Sequence, residues 1–223
     1  MARYKVIFTK SKDVIPFNNQ KMLNSFIHKT IGRNGYHDTF SEYNISGLQG
    51  GKYDAERGGL VYEEPYIIIS SPNEEFNMMI IEKLLQRKQT LFDMTVADIR
   101  FVELRLNAHY DYISTLSPII VFDKKTRRKI TFKDEGWLDI LRQNCIDKLR
   151  HMGIEDETFS IEAHYENKWK TKMMYVGDVY NVCSMVKLKV SGSVRTREIL
   201  YNLGLGGSCG SGFGCVKIVG SVY

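Results

Sequence analysis

The sequence predicts an α+β fold in which two tandem ferredoxin-like (RRM-like) units, each with the order βαββαβ, pack together. β-prone segments alternate with amphipathic helices in that order over residues 1–108, and the same order recurs over residues 109–223. The chain has 223 residues, of which 43% are hydrophobic, so it can bury one large core or two small ones. We therefore expect an N-terminal domain over residues 1–108 and a C-terminal domain over residues 109–223.

The first half contains the elements of one unit in order. Residues 4–8 are β-prone, and Asn18 and Asn19, good helix-capping residues, precede apolar positions at helical spacing. Those apolar positions are Leu23, Phe26, Ile27 and Ile31. Strands are then predicted at residues 43–45, 66–70 and 94–106, a glycine-rich loop between the first two of these, and a second helix over residues 74–88.

The second half repeats this order, although its residues show no self-similarity with those of the first half. Residues 119–122 and 130–132 predict a hairpin, and apolar positions over residues 137–149 predict a helix. Strands are predicted at residues 159–163 and 182–190, a short helix at residues 194–203, and a last strand at residues 216–219.

Composition argues against disulfide-linked, zinc-binding, secreted and membrane-spanning classes of protein. The formal net charge of +5 is compatible with an anionic partner but is weak support unless the charges cluster. The four cysteines form no CxxC pair and have no histidine at zinc-ligand spacing, so we expect reduced thiols and no metal. No apolar run approaches the ~20 residues of a membrane span, and the N-terminal apolar run is too short for a signal peptide. A cytoplasmic protein without membrane contact is expected.

The most specific feature is the glycine-rich segment, residues 204–214, with the sequence GLGGSCGSGFG. Its glycines permit positive φ and close backbone approach, so consecutive amides could cradle a phosphate. A dinucleotide-binding fingerprint is excluded because a helix precedes the segment and a strand follows it. A P-loop is excluded because Gly-Lys-Ser/Thr is absent. A flexible connector is the alternative, although the segment runs straight into a β-prone stretch.

This segment resembles the C-terminal signature of the RAMP superfamily and, within it, of the CRISPR repeat-processing endoribonucleases (the Cas-six family). Residues 202–206 and 211–216 match the two parts of that signature. Residues 15–20, before the first helix, residues 115–119 and residues 186–188 match further family motifs in the expected order. The resemblance therefore covers most of the chain, and it also implies the tandem ferredoxin-like fold.

The resemblance implies an endoribonuclease that cuts precursor CRISPR RNA within its repeats without a metal or other cofactor. The neighbouring 2′-hydroxyl would be the nucleophile, leaving a 2′,3′-cyclic phosphate and a 5′-hydroxyl. The expected partner is CRISPR repeat RNA, and association with a CRISPR effector complex is compatible with the family. Whether the chain is a monomer or a homodimer stays open.

Two histidines are the candidate catalytic residues, because histidine can act as acid or base near neutral pH. His37 lies in the loop after the first helix, where the family has its usual catalytic histidine. His28 lies on that helix, in line with Asn24 and away from the apolar face. A solvated loop histidine and an ordinary exposed helix histidine are the respective alternatives.

The residue that would stabilise the charged transition state is not fixed by the sequence. The family pattern often has a lysine shortly after the loop histidine, whereas residues 41–43 here are Ser-Glu-Tyr. The candidates that could replace it are Lys52, Arg57, Lys29 and Arg33.

Cations near the glycine-rich segment form the preferred RNA-docking surface, since lysine and arginine contribute salt-dependent affinity for phosphates. The predicted RNA-binding residues are Lys187, Lys189, Arg195, Arg197, Gly204, Gly206, Gly207, Gly210, Gly212 and Gly214.

Two other classes of function are alternatives to this nuclease. A RAMP protein that binds CRISPR repeat or guide RNA without cutting it is favoured by the missing lysine and disfavoured by the presence of His28 and His37. A metal-dependent nuclease is disfavoured because no Asp, Glu and His set stands at ligand spacing.

Overall fold

The computed structural model describes residues 1–32, 41–86, 90–164, 168–176 and 179–219. All of the elements below lie within these ranges. The first half contains β1 (Ala2–Phe8), α1 (Gln20–Ile31), β2 (Asn44–Ile45), β3 (Gln49–Asp54), β4 (Gly59–Ser71), α2 (Glu74–Leu85) and β5 (Val96–Phe101).

The first sheet has the strand order β2-β4-β1-β5, with β3 also paired to β4, and every pairing is antiparallel. Val6 and Phe8 point to the face that α1 and α2 cover, because alternate residues of a strand face opposite sides. Leu23 and Ile27 of α1 and Phe76 of α2 complete this core. The helical spacing of these residues is the reason that both helices bury one side.

The second half contains β6 (Tyr110–Thr115), β7 (Val121–Asp123), β8 (Arg128–Ile130), α3 (Trp137–His151), β9 (Ser160–His164), β10 (Lys170–Val176), β11 (Val179–Met185), β12 (Lys187–Ser191), α4 (Val194–Leu203) and β13 (Val216–Ile218). The second sheet has the order β13-β6-β12-β9, again antiparallel throughout. Strands β7 and β8 and strands β10 and β11 form separate hairpins. The helices α3 and α4 pack on one face of this sheet, around Leu141, Leu188 and Leu200.

Three expectations about strands are wrong. The predicted hairpin of residues 119–122 and 130–132 is present as β7 and β8, but it is separate from the second sheet, whose first strand, β6, was not predicted. The predicted glycine-rich loop between β2 and β4 contains β3, which pairs with β4. The single strand predicted over residues 182–190 is two strands in different sheets, interrupted at Val186.

The two halves meet where the outer face of the first sheet packs against α4 and the glycine-rich segment. Polar side chains of the first half donate to main-chain carbonyls of the second. Arg3 bonds Tyr201 at 3.0 Å, Ser70 bonds Asn202 at 3.0 Å, and Asn44 bonds Phe213 at 2.8 Å. These contacts are buried, so each satisfies a carbonyl that water cannot reach. The interface therefore fixes the glycine-rich segment against the first half.

None of the helices in the described part of the chain is long and apolar enough to cross a membrane.

Candidate functional site

One side of α1 carries a row of polar side chains, Gln20, Asn24 and His28, because residues four apart lie above one another on a helix. The Gln20 amide Nε2 donates to Asn24 Oδ1 at 3.0 Å and to the Ser211 carbonyl at 3.1 Å. His28 is exposed in the last turn of the helix, as the sequence predicted. The row thus leads from the glycine-rich segment to a histidine that a substrate can reach.

The other predicted catalytic residue, His37, lies outside the described residues, as does Arg33. The Ser41 hydroxyl lies against Gly210, so close that a Cβ on Gly210 would be 2.9 Å from Ser41 Oγ. The next residue, Glu42, places a carboxylate oxygen 4.0 Å from Nε2 of His151 at the end of α3. Residues 41–42 therefore lie beside both the glycine-rich segment and the C-terminal end of α3.

The glycine-rich segment is mostly buried. Ser208 is its one exposed residue, and Gly207 and Ser211 are half-buried. Four of its backbone amides bond to carbonyls of the protein, beginning with Leu205, which donates to Gly214 at 2.9 Å. The other amide bonds run from Gly207 to the Ile120 carbonyl at 2.8 Å, from Ser211 to Ser208 at 2.9 Å, and from Gly214 to Pro118 at 2.9 Å.

This burial corrects the predicted RNA-binding set. Gly204, Gly206, Gly210, Gly212 and Gly214 are buried, so the prediction that they contact RNA directly is wrong. They are glycines because neighbouring atoms leave no room for a side chain. A Cβ on Gly206 would lie 2.5 Å from the Ile120 carbonyl oxygen, and one on Gly204 would lie 2.9 Å from Cys209 Sγ. Gly207, which is half-buried, stays a prediction.

Replacing Gly206 by valine is expected to lower the free energy of unfolding by about 2–4 kcal/mol, because a β-branched side chain is strained at positive φ and overpacks its neighbours. The φ of Gly206 is +74°, whereas Gly207 has no positive φ and a Cβ there would meet Ile120 at an ordinary 3.6 Å. Gly207→Ala is therefore the matched control, expected to change stability by about 0.5 kcal/mol or less in urea unfolding. A Gly206→Val protein with wild-type stability and weakened RNA binding would restore the direct RNA contact.

Of the predicted docking cations, Lys187 and Lys189 project from β12 and are half-buried, and Arg195 is exposed on α4. The Lys189 ammonium lies 3.2 Å from a carboxylate oxygen of Glu162. All three side chains can be approached from solvent, so their contact with RNA stays a prediction.

Arg197 is the exception, and its assignment to RNA binding is wrong. Its side chain is 0% exposed and pairs with Asp111, which is also 0% exposed. The guanidinium also donates to the carbonyls of Gly192, Asn107 and Ala108. Each of its nitrogens thus bonds inside the protein, and no phosphate can reach it.

Asp111 is held by further donors. It accepts the Asn107 amide at 2.9 Å and the Tyr201 hydroxyl at 3.3 Å. Burial, together with the Asp111 carboxylate, raises the pKa of Tyr201 far above its usual range, so the phenol stays protonated and donates. The network ties β6 to α4 across the second core.

The predicted transition-state cations are dispersed. Lys29 is exposed beside His28 at the end of α1, and Lys52 is exposed on β3. Within the β3–β4 turn the backbone amide of Arg57 donates to Asp54 at 3.0 Å and its guanidinium donates at 2.8 Å, and these two bonds lower the pKa of Asp54. Of the three cations that the structure describes, Lys29 is therefore the one nearest to His28 in the chain.

The cysteines are free thiols, and all four are buried. Burial raises the pKa of Cys145 and Cys215 to about 11 and that of Cys183 to about 12, so these thiols stay neutral near neutral pH. Within the described residues, no group of three or more His, Cys, Asp or Glu side chains could hold a metal ion.

Sequence reasoning missed the polar residues of the interface between the halves, Arg3, Asn44 and Ser70. Each lies in a predicted strand or next to one, on the face opposite the apolar core positions. A buried arginine such as Arg3, 1% exposed, looks like a solvated strand residue when only the alternation is visible. Nothing in the sequence distinguishes an outer face that meets solvent from one that meets the other half of the chain.

Comparison with known proteins identifies the family. Residues 103–218, more than half of the chain, match the family model for CRISPR associated protein Cas6, C-terminal. A CRISPR-associated endoribonuclease-like protein Cas6 from Pyrococcus furiosus is 32% identical over 167 residues, which cover 69% of this chain and 67% of the relative. A relative named Cas6nc from Pyrococcus horikoshii is 29% identical over 174 residues, covering 72% and 71% of the two chains.

The similarity to solved structures extends over both halves. A structure described as an RAMP protein binding different RNA substrates superimposes with a TM-score of 0.81 and 25% identity, covering 98% of this chain and 100% of that one. The family expected from the glycine-rich segment is therefore confirmed. The chain belongs to the Cas6 family of CRISPR repeat-processing proteins.

Proposed function

We propose that this chain is a metal-independent endoribonuclease that cleaves precursor CRISPR RNA within its repeats. Membership of the Cas6 family supports a role in CRISPR RNA processing. The proposed catalytic activity is supported mainly by the position of His28, which is exposed on α1 at the end of a polar row that starts at the glycine-rich segment. His37, which follows His28 in the sequence after the end of α1, is its expected partner.

The proposed reaction is an internal transesterification. A base removes the proton of the 2′-hydroxyl, the O2′–P bond forms as the P–O5′ bond breaks, and an acid delivers a proton to O5′. We assign these two proton transfers to His28 and His37, each contributing about 10²–10⁴-fold. Lys29, Lys52, Arg57 and Arg33 remain the candidates for stabilising the charged phosphorane.

We also infer that each half is a ferredoxin-like unit, with the boundary near residue 108. The strand orders support this assignment, because both sheets place the first strand of the unit between the third and the fourth. The last strand of the first sheet ends at Phe101 and the first strand of the second begins at Tyr110. Residues 102–109 would then connect the two domains.

A Cas6-family protein that binds repeat RNA without cutting it is the second candidate. Residues 41–43 supply no lysine after His37, and the relative from Pyrococcus horikoshii carries the name Cas6nc, an endoribonuclease-like protein. Cleavage of the cognate repeat RNA separates this candidate from the nuclease, since both would bind.

The purified chain is expected to cut its cognate repeat RNA at one position in excess EDTA, giving a 2′,3′-cyclic phosphate and a 5′-hydroxyl. Sensitivity of the upstream product to cyclic-phosphate hydrolysis and phosphorylation of the downstream product by polynucleotide kinase identify these ends. Loss of activity in EDTA that a divalent ion restores would replace acid-base chemistry by metal-assisted chemistry.

A repeat with a single 2′-deoxynucleotide immediately upstream of the cut should bind like the natural repeat and remain uncut, because the nucleophile is missing. The matched control carries the deoxynucleotide one position further upstream and should be cut normally. Cleavage of the first substrate would rule out the 2′-hydroxyl as nucleophile.

A further inference from the structure

The outer face of the second sheet, defined as the face opposite α3 and α4, carries aromatic and cationic side chains. Alternation along the strands places Tyr110, Tyr112 and Ser114 of β6 on this face, because Ile113 points into the core. Cross-strand register adds Lys187 and Lys189, which pair with Ser114 and Tyr112. Pairing also adds Lys217 beside Ser114 and His164 beside Lys187.

The rings of this face already contact one another. Tyr112 stacks on His164 with ring centroids 4.1 Å apart and planes 22° apart, and Tyr110 meets Tyr112 edge-on at 5.4 Å. Tyr110 is 41% exposed. The Lys189 ammonium lies 5.1 Å from the centre of the Tyr110 ring. Aromatic surface and positive charge are therefore interleaved within three adjacent strands.

Charge, together with the aromatic rings, favours a nucleic acid over an apolar protein surface as the occupant. Lys187, Lys189 and Lys217 outweigh Glu162, the acidic residue paired with Lys189 on this face. A purely apolar partner would leave these ammonium groups buried without a counter-charge, which is costly. Beyond Tyr110 the face continues into a hollow of about 390 Å³ bordered by His109, Thr158 and Ser191.

We propose that this outer face binds unpaired nucleotides of RNA, with bases stacking on Tyr110 and Tyr112 and phosphates meeting Lys187, Lys189 and Lys217. The proposal rests on the proposed function only in taking the repeat RNA as the natural ligand. Tyr110 and Ser114 are four residues apart, or roughly 13 Å along the strand, which suits about two to three nucleotides. The surface would hold a single-stranded part of the repeat while cleavage takes place elsewhere.

The test is equilibrium binding of a fluorescein-labelled oligouridylate of about ten nucleotides, measured by anisotropy at several salt concentrations. Tyr112→Ala and Tyr110→Ala should each weaken binding by about tenfold or more, without changing the dependence of log Kd on log salt. Tyr112→Phe, which keeps the ring, should bind within about twofold of wild type. Lys187→Gln with Lys189→Gln should instead reduce the salt slope by about 1.4, or 0.7 for each phosphate that is no longer neutralised.

Phe101→Ala is the matched control, since Phe101 is an aromatic residue that is 64% exposed on β5, a strand of the first sheet. It should bind like wild type, and circular dichroism should show that every variant is folded. Wild-type affinity in both tyrosine variants would overturn the proposal. Cleavage of the repeat is measured separately. If the protein cuts the repeat but both tyrosine variants bind RNA with wild-type affinity, only the proposed binding of RNA to this outer face is refuted. If the tyrosines are needed for RNA binding but the protein never cuts the repeat, only the proposed nuclease activity is refuted.

Discussion

Alanine at position 37 is expected to slow cleavage of the cognate repeat by about 10²–10⁴-fold while RNA affinity changes little. Binding is distributed over many phosphate contacts, whereas each proton transfer depends on one group. Single-turnover cleavage at saturating protein measures the chemical step, and anisotropy with the uncleavable 2′-deoxy repeat measures affinity. His37→Gln should be as slow as His37→Ala, because glutamine keeps a hydrogen bond but cannot transfer a proton.

His28→Ala should cause a similar loss if the two histidines act as a pair. The double variant should then be little slower than the slower single variant, because cooperating catalytic groups are non-additive. The pH–rate profile of each single variant should lose one limb. The pKa values of the wild-type profile belong to the pair and not to either histidine, because two nearby imidazoles titrate as a coupled set. An inactive His37→Ala with an active His28→Ala would mean that another residue completes the site. Wild-type rates in both variants would exclude both histidines, and a wild type that never cuts would favour the non-catalytic candidate.

The sequence predicted the helices well because their apolar spacing reflects burial directly. The predicted helix at residues 194–203 is α4, Val194–Leu203. The strand β6 was missed because its alternation is inverted: Asp111 faces the core, whereas Tyr110 and Tyr112 face outward. A buried carboxylate is tolerable there only because Arg197, 86 residues away in the chain, neutralises it. Local patterning cannot reveal such a partner.

Glycine misled the prediction in two places for one physical reason. Gly51 was assigned to a loop but lies in β3, where a Cβ would be 2.6 Å from the Tyr62 ring. In the segment 204–214, glycine was taken as a sign of an exposed phosphate cradle. Close approach to other parts of the protein explains it instead: Gly210 lies against Ser41 of the first half, and Gly206 lies against Ile120 of the second. A glycine indicates that other atoms approach the backbone closely, and the sequence does not show whether those atoms belong to a ligand or to the rest of the protein.

The candidate site was predictable where the spacing of residues along a helix decides which side chains are exposed. His28 was placed on the solvent side of α1 from its spacing to Asn24, and the structure agrees. Arg197 was placed among the docking cations because it lies near Arg195 in a basic stretch. Residues two positions apart on a helix are related by a rotation of about 200° about the helix axis, so the side chains of Arg195 and Arg197 point in nearly opposite directions. One meets solvent and the other enters the core.

Replacing Arg197 by alanine is expected to lower the free energy of unfolding by about 3–5 kcal/mol, because it leaves the Asp111 carboxylate buried without its counter-charge. The substitution also removes the donor to the Gly192, Asn107 and Ala108 carbonyls. Small domains are stable by only about 5–15 kcal/mol, so this variant should unfold at far lower urea concentration than wild type. Unfolding followed by circular dichroism measures the difference.

Arg195→Ala is the matched control, since Arg195 is an exposed arginine on the same helix. It should change stability by about 0.5 kcal/mol or less. The combined variant Asp111→Ala/Arg197→Met should lose less stability than the sum of the two single changes, because neither charge is then buried alone. The salt dependence of RNA affinity should respond to the exposed arginine and not to the buried one. Where Arg197→Met remains folded, it should keep the wild-type slope of log Kd against log salt, whereas Arg195→Ala should reduce that slope if Arg195 contacts a phosphate. A stable Arg197→Ala protein with a reduced salt slope would return Arg197 to the RNA-binding surface and show that the buried pair opens in solution.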